Sequence, residues 1–257
     1  MFSTIFGLSL IAHLTSDFVF QTDKIAANKR NINNKDGRHA IIAHISSVFI
    51  FNLIAFYFLL DGWWPLIGSA AITVVHIIID ILKNVLKGEK YNTLKFLIDQ
   101  ILHVAVISAA VYVVLLNGDQ QKLSGIYYAL KQLLLLPDWG RQSDKIVWTI
   151  VIALAFIWGS AYLIRFILKD SCLYVKTTCE NSNTARAGKW IGILERLAII
   201  IFVPINQWTA IGFLIAAKSL ARHKRMDEEG YAEYFLIGTL LSLIIAMAGG
   251  LLLANIW

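Results

Sequence analysis

Residues 94–116 read LKFLIDQILHVAVISAAVYVVLL. As a helix rising about 1.5 Å per residue, this stretch is long enough to cross the roughly 30 Å hydrocarbon core of a bilayer. It nevertheless holds Asp99 and His103, four residues apart and therefore on one helix face. Ionisable side chains are expensive in lipid and normally mark a site there. The stretch thus sets the fold class, a membrane-spanning helix, and also the place to look for chemistry.

The same pattern extends along the chain. Of the 257 residues 58% are hydrophobic and only 16% are charged, and the mean hydropathy is +0.65. A soluble domain of this length would carry more charge. Apolar windows near 2–20, 40–60, 64–82, 94–116, 146–168, 190–206, 207–221 and 233–256 predict an all-α polytopic bundle of about eight crossings. The sixth and seventh windows are short and meet at Val203-Pro204-Ile205-Asn206-Gln207, which suits a tight hairpin or a re-entrant pair. Gly125 to Pro137 is too short to span and reads as an interfacial helix. Met1–Phe20 lacks a basic n-region and a small-residue cleavage site, so it reads as a retained first helix. The chain divides into a four-helix module at 1–116, a loop at 117–145 and a C-terminal module at 146–257.

Lys and Arg number 5, 4, 5 and 4 in loops 21–39, 83–95, 165–189 and 218–225, against 4 on the other side, all between Asp119 and Lys145. The positive-inside rule puts the first group in the cytoplasm and both termini outside it. Trp63, Trp64, Trp139, Trp148, Trp208 and Trp257 then form an aromatic belt at the outer boundary. The net charge of +6 is explained by these loops and by contact with anionic lipid, not by nucleic acid. Cys172 and Cys179 have no zinc-type spacing and fall in a cytoplasmic loop, where thiols stay reduced.

Asp99/His103 is one of three such pairs, with His13/Asp17 and His76/Asp80. In the predicted topology the order of the two residues reverses when the helix direction reverses. In every pair, therefore, Asp lies nearer the cytoplasm and His about 6 Å deeper. His44 falls in the same slab, and Gln21 and Gln100 extend its polar rim. A single pair is as readily a hydrogen-bonded packing dyad; three at one depth point to a shared site. Imidazole and carboxylate suit zinc first, then manganese or iron. His13, Asp17, His76, Asp80, Asp99 and His103 are the candidate metal ligands, with His44 and Asp99 the candidate catalytic groups and His44 also a further ligand. Seven donors exceed one tetrahedral zinc, which leaves open two metals or one metal with outer carboxylates. Such a metal would generate a hydroxide nucleophile. No nucleophile elbow, phosphate-binding glycine loop or HExxH motif offers a competing mechanism. Lys83, Lys87 and Lys90 would hold an anionic headgroup or simply anchor the helix. His39 and His223 read as solvated.

A second polar cluster comprises Glu195, Arg196, Lys218, Arg222 and Glu233. Glu195 and Arg196 are adjacent and point about 100° apart, so each needs a partner on another helix, and Lys218 and Glu233 are the candidates. Glu195 and Glu233 are then structural polar partners, while Arg196, Lys218 and Arg222 are expected to bind substrate in a cavity facing the His/Asp layer. The competing reading makes the cluster a packing device.

His13-Leu14-Thr15-Ser16-Asp17-Phe18-Val19-Phe20-Gln21, His76-Ile77-Ile78-Ile79-Asp80-Ile81-Leu82-Lys83 and Asp99-Gln100-Ile101-Leu102-His103 resemble the signature of a bacterial membrane family, domain of unknown function 3307, over about residues 1–116. Gly192–Arg196, Ala217–Ser219 and Glu233–Thr239 resemble an extension that many members carry. The resemblance implies a multi-pass protein of the bacterial inner membrane and no particular activity. A weaker likeness, to predicted membrane-bound metal-dependent hydrolases, rests on the intramembrane His and Asp residues. The sequence reading is therefore a metal-binding membrane protein hydrolysing a lipid or membrane-derived anionic substrate at the cytoplasmic face, with membrane lipids as partners. Its rivals are a proton or divalent-metal transporter and a non-catalytic scaffold.

Overall fold

The computed structural model describes residues 1–21, 25, 34–85, 91–117, 139–171, 182–228 and 230–257. Among these there is no strand, and eight helices follow one another. They are α1 (Phe2–Leu14, continued by a π-helical turn at Thr15–Phe20), α2 (Lys35–Tyr57), α3 (Trp64–Val85) and α4 (Asn92–Asn117). Then come α5 (Trp139–Ala153, a π turn at Leu154–Gly159, then Ser160–Asp170), α6 (Ser182–Phe202), α7 (Trp208–Arg222) and α8 (Tyr231–Ile256). Six of them, all but α6 and α7, are long and apolar enough to cross a membrane. The protein is thus a polytopic transmembrane helix bundle. α6 carries Arg186, Lys189, Glu195 and Arg196, and α7, with 15 residues, is only about 22 Å long. The expected interfacial helix at 125–137, both cysteines, Lys87 and Lys90 lie outside the described residues.

Local chemistry explains where several helices begin and end. The Asn34 side chain accepts from the Gly37 N–H at 2.6 Å and caps α2. The first N–H groups of α4 are taken by Asp170, whose carboxylate accepts from Asn92 N at 3.0 Å and Thr93 N at 2.7 Å. α6 and α7 are separated by a turn in which Asn206 adopts φ 55°, a left-handed value that asparagine tolerates better than most residues. Polar residues inside the bundle turn back on their own helices, as a dry interior requires. Ser16 donates to the Ala12 carbonyl at 2.9 Å, Ser69 to Pro65 at 2.7 Å, Thr73 to Ser69 at 2.7 Å and Asn52 to Val48 at 2.9 Å.

The helices fall into two compact units. One comprises the described residues within Met1–Gly88 and Leu97–Val151. In it α2 packs against both α1 and α3, over buried Ile5, Val48, Phe56, Ile72 and Ile107. Gly68 of α3 allows close packing, since a Cβ there would sit 2.6 Å from Val114 Cγ2. Large apolar side chains such as Ile42, Ile54, Val74, Ile81 and Ile101 are exposed, as lipid contact demands.

The other unit comprises the described residues within Glu89–Phe96 and Ile152–Trp257. Its core joins Ile157, Ile193, Ile199, Ile200, Val203, Ile211 and Ala246. Gly249 and Gly250 of α8 lie against Phe156 and Val203. In an open helix interior Gly→Ala stabilises by about 0.5–1 kcal/mol. At Gly250 a new Cβ would stand 2.6 Å from Val203 Cβ, so the sign reverses. Gly250→Ala is expected to destabilise the detergent-solubilised protein by about 1–3 kcal/mol. Val203→Ala in the same chain removes the Cγ contacts at 3.1 Å but keeps the clashing Cβ, so it should not restore wild-type stability. A Gly250→Ala protein that melts at or above the wild-type temperature would refute this close packing.

Candidate metal centre

All seven His and Asp residues of the expected layer lie in the first unit, on four consecutive helices. His13, His76 and His103 are each 2% exposed, and His44 and Asp99 4%. The tightest group lies where α1, α2 and α3 meet. His44 Nε2 and His76 Nε2 face each other at 3.1 Å. Asp17 Oδ1 lies 3.8 Å from the first and 3.6 Å from the second, and Asp80 Oδ2 3.4 and 3.8 Å. Four ligands about 2.0–2.2 Å from a central ion stand about 3.3–3.6 Å from one another in a tetrahedron. The separations within His44, His76 and Asp80 bracket that edge length, as do those within His44, His76 and Asp17, so either triad fits a divalent metal.

Asp17 reaches this group from an irregular piece of helix. α1 contains no proline near it, yet from Thr15 to Phe20 it widens into a π turn, closed by the Gln21 N–H donating to the Ser16 carbonyl at 3.1 Å. The turn supplies one more residue than α geometry would, and it holds the Asp17 carboxylate between His13, His44 and His76.

A hydrogen-bond chain beside the group sets the protonation of two imidazoles. Lys83 Nζ donates to Asp99 Oδ2 at 2.7 Å, and Gln100 Nε2 donates to the same oxygen at 3.1 Å. That contact orients the amide, so Gln100 Oε1 is the acceptor facing His13 Nε2 at 3.3 Å. His13 therefore carries its proton on Nε2, which leaves the Nδ1 lone pair 3.9 Å from Asp17 Oδ2. His103 Nδ1 donates to the Asp99 backbone carbonyl at 2.8 Å, so its Nε2 is the unprotonated nitrogen. Four buried polar atoms of the layer have no hydrogen-bond partner: Asp17 Oδ1, His44 Nδ1, Asp99 Oδ1 and His103 Nε2. Three of these are lone-pair acceptors that a cation would satisfy. The remaining one, His44 Nδ1, belongs to the ring whose Nε2 is already in the tight group.

Three overlapping sets of donors result: His13, Asp17 and His76; His44, His76 and Asp80; and Asp80, Asp99 and His103, each with its ligand atoms within 4.8 Å of one another. The family model described as "Protein of unknown function (DUF3307)" matches residues 5–134, half of the chain, and covers every one of these donors. The chain belongs to that family. No curated protein and no solved structure matches it. For this DUF3307 member the likeness to metal-dependent hydrolases rests on the residues alone.

Two features of the DUF3307 layer were not visible in its motifs. Lys83, expected as an anchor or headgroup contact, is bonded to Asp99, and Gln100 links Asp99 to His13. Lys83 lies three residues past Asp80, and that spacing on one helix face is the signal that could have tied it to the site. His39 and His223 are exposed.

The second cluster is held inside its own unit. Lys218 Nζ donates to Glu195 Oε2 at 2.5 Å. Arg196 turns to the π turn of α5, donating from Nε to the Ile157 carbonyl at 2.9 Å and from Nη1 to Ser242 Oγ at 3.4 Å. A π turn frees carbonyls from the regular helix ladder, and here a buried guanidinium takes one of them. Arg222 is half-buried and Glu233 exposed.

Proposed function

We propose that this protein is an integral membrane metalloenzyme that hydrolyses a lipid or another membrane-derived anionic substrate at the cytoplasmic face of the bacterial inner membrane. The observation that carries the reading is the approach of Asp17 Oδ1 and Asp80 Oδ2 to the facing His44 Nε2 and His76 Nε2, which stand 3.1 Å apart and 3.4–3.8 Å from the carboxylate oxygens. In this reading His44 is a ligand, not a base. A divalent cation held there supplies a Lewis acid and lowers the pKa of bound water toward about 7. Zinc suits a triad of imidazole and carboxylate donors with water in the fourth place; manganese or iron, with more coordination positions, would keep further ones open for substrate. Asp80, whose side chain is 18% exposed, and Lys83, 41% exposed, form the accessible rim. Lys83 is therefore the cation beside the layer that meets the substrate's negative charge. Of the three residues expected to bind substrate, Arg196 is buried against the Ile157 carbonyl and Ser242 and Lys218 is paired with Glu195, so only Arg222, half-buried on the last turn of α7, keeps a headgroup-binding role.

Elemental analysis of the detergent-purified protein is expected to find near-stoichiometric zinc, manganese or iron. A folded His76→Ala/Asp80→Ala double variant should lack it. Metal-dependent release of phosphate or headgroup from phospholipid and phosphate-ester substrates, absent in that variant, would complete the assignment. Retained metal with no turnover, but with metal-dependent flux into proteoliposomes, would replace hydrolysis by transport. Metal in neither protein after gentle purification would end the metalloenzyme reading.

A further inference from the structure

Beyond the four-donor group, a second set of ligands lies unused at its edge. His103 Nε2 is buried, carries a lone pair because Nδ1–H is committed to the Asp99 carbonyl, and has no partner. Asp99 Oδ1 is equally buried and has no hydrogen-bond partner, lying 3.8 Å from His103 Nδ1, while Oδ2 is taken by Lys83 and Gln100. Each imposes the cost of a buried polar atom left unpaired, and both would be relieved by one cation. Asp80, Asp99 and His103 each offer a ligand atom within 4.8 Å of the other two, and Asp80 also belongs to the set with His44 and His76. The His76 and His103 rings are 4.2 Å apart between centroids, so the two sets are immediate neighbours.

We propose that the layer is a two-metal centre, with a second divalent ion held by Asp99 and His103 and with Asp80 shared between the two positions. The inference rests on the metalloenzyme reading above and divides the work within it. The first position draws on His44 and His76 with Asp17 and Asp80 beside them, the fuller donor set of the two. The second has three at most and keeps room for water and substrate, which is what a catalytic position needs.

Charge sets the order of filling. One divalent ion neutralises Asp17 and Asp80, and Lys83 already neutralises Asp99. A second ion therefore enters against Lys83 and is held more weakly than the first. Removing the Lys83 ammonium should tighten the second position and leave the first unchanged.

The test uses the full-length, detergent-purified protein, stripped with a chelator and titrated with Mn²⁺, with bound metal counted and paramagnetic resonance recorded. Two ions per chain are expected at saturation, with a spin-coupled signal from centres about 3.5–4 Å apart. His103→Ala and the gentler His103→Gln and Asp99→Asn should each keep one ion with an uncoupled spectrum. Lys83→Met should bind the second ion about tenfold more tightly, a gain that misfolding cannot imitate. One ion in wild type and in every variant at 103 and 99 would overturn the second position and leave the first standing. No ion in any of them would overturn both.

Discussion

Alanine at position 44 is expected to weaken binding of the first metal by about two to three orders of magnitude. His44 Nε2 is 3.1 Å from His76 Nε2 and 3.4 Å from Asp80 Oδ2, so the ring is a donor inside the group and not a peripheral contact. Structural zinc sites with four ligands bind with roughly 10–16 kcal/mol, so one ligand carries about 2.5–4 kcal/mol on an even share. About 1.4 kcal/mol corresponds to a factor of ten in affinity. Competition against a chromophoric chelator would read the change directly. His39→Ala, an exposed imidazole on the same helix, should leave affinity where it was. If His44→Ala and His39→Ala bind metal equally well, the four-donor group is not the ion's position.

The largest expected effect on stability lies in the other unit. Lys218→Ala should cost about 3–5 kcal/mol, because it strands the Glu195 carboxylate, 11% exposed, without its cation. Replacing both members, as in Glu195→Leu/Lys218→Leu, removes the stranded charge together with the pair and should restore most of the loss. Unfolding midpoints in mild detergent would compare the three proteins. Near-wild-type stability of Lys218→Ala would mean that water or lipid reaches Glu195 freely, and that the pair is peripheral to packing.

The transmembrane architecture was legible because bilayer thickness writes itself into the length of apolar runs. The window at 94–116 became α4, Asn92–Asn117, and that at 233–256 became α8, Tyr231–Ile256. The four-residue spacing of His and Asp was legible for a similar reason, since one helical turn is a local quantity. What could not be read was anything set by a neighbouring helix. The π turns at Thr15–Phe20 and Leu154–Gly159 carry no proline signal, and what they accomplish involves residues far away in sequence: Asp17 facing His44 and His76, and Ile157 offering its carbonyl to Arg196. Adjacent Glu195 and Arg196 had to diverge, which follows from helix geometry alone. That Arg196 would choose a backbone carbonyl over an acidic side chain does not follow from it. Lys83 likewise looked like a membrane anchor until α4 brought Asp99 beside it.

Every donor of the His/Asp layer, from His13 to His103, is encoded in the first two-fifths of the chain. During synthesis the ribosome has therefore finished all seven while more than half of the polypeptide is still to be made. An ion can be captured as α1 to α4 leave the insertion machinery, before Glu195, Arg196 or Lys218 exist. On the metalloenzyme proposal, metal supply at the moment of translation, and not only the folded protein's equilibrium affinity, would determine which ion the layer takes.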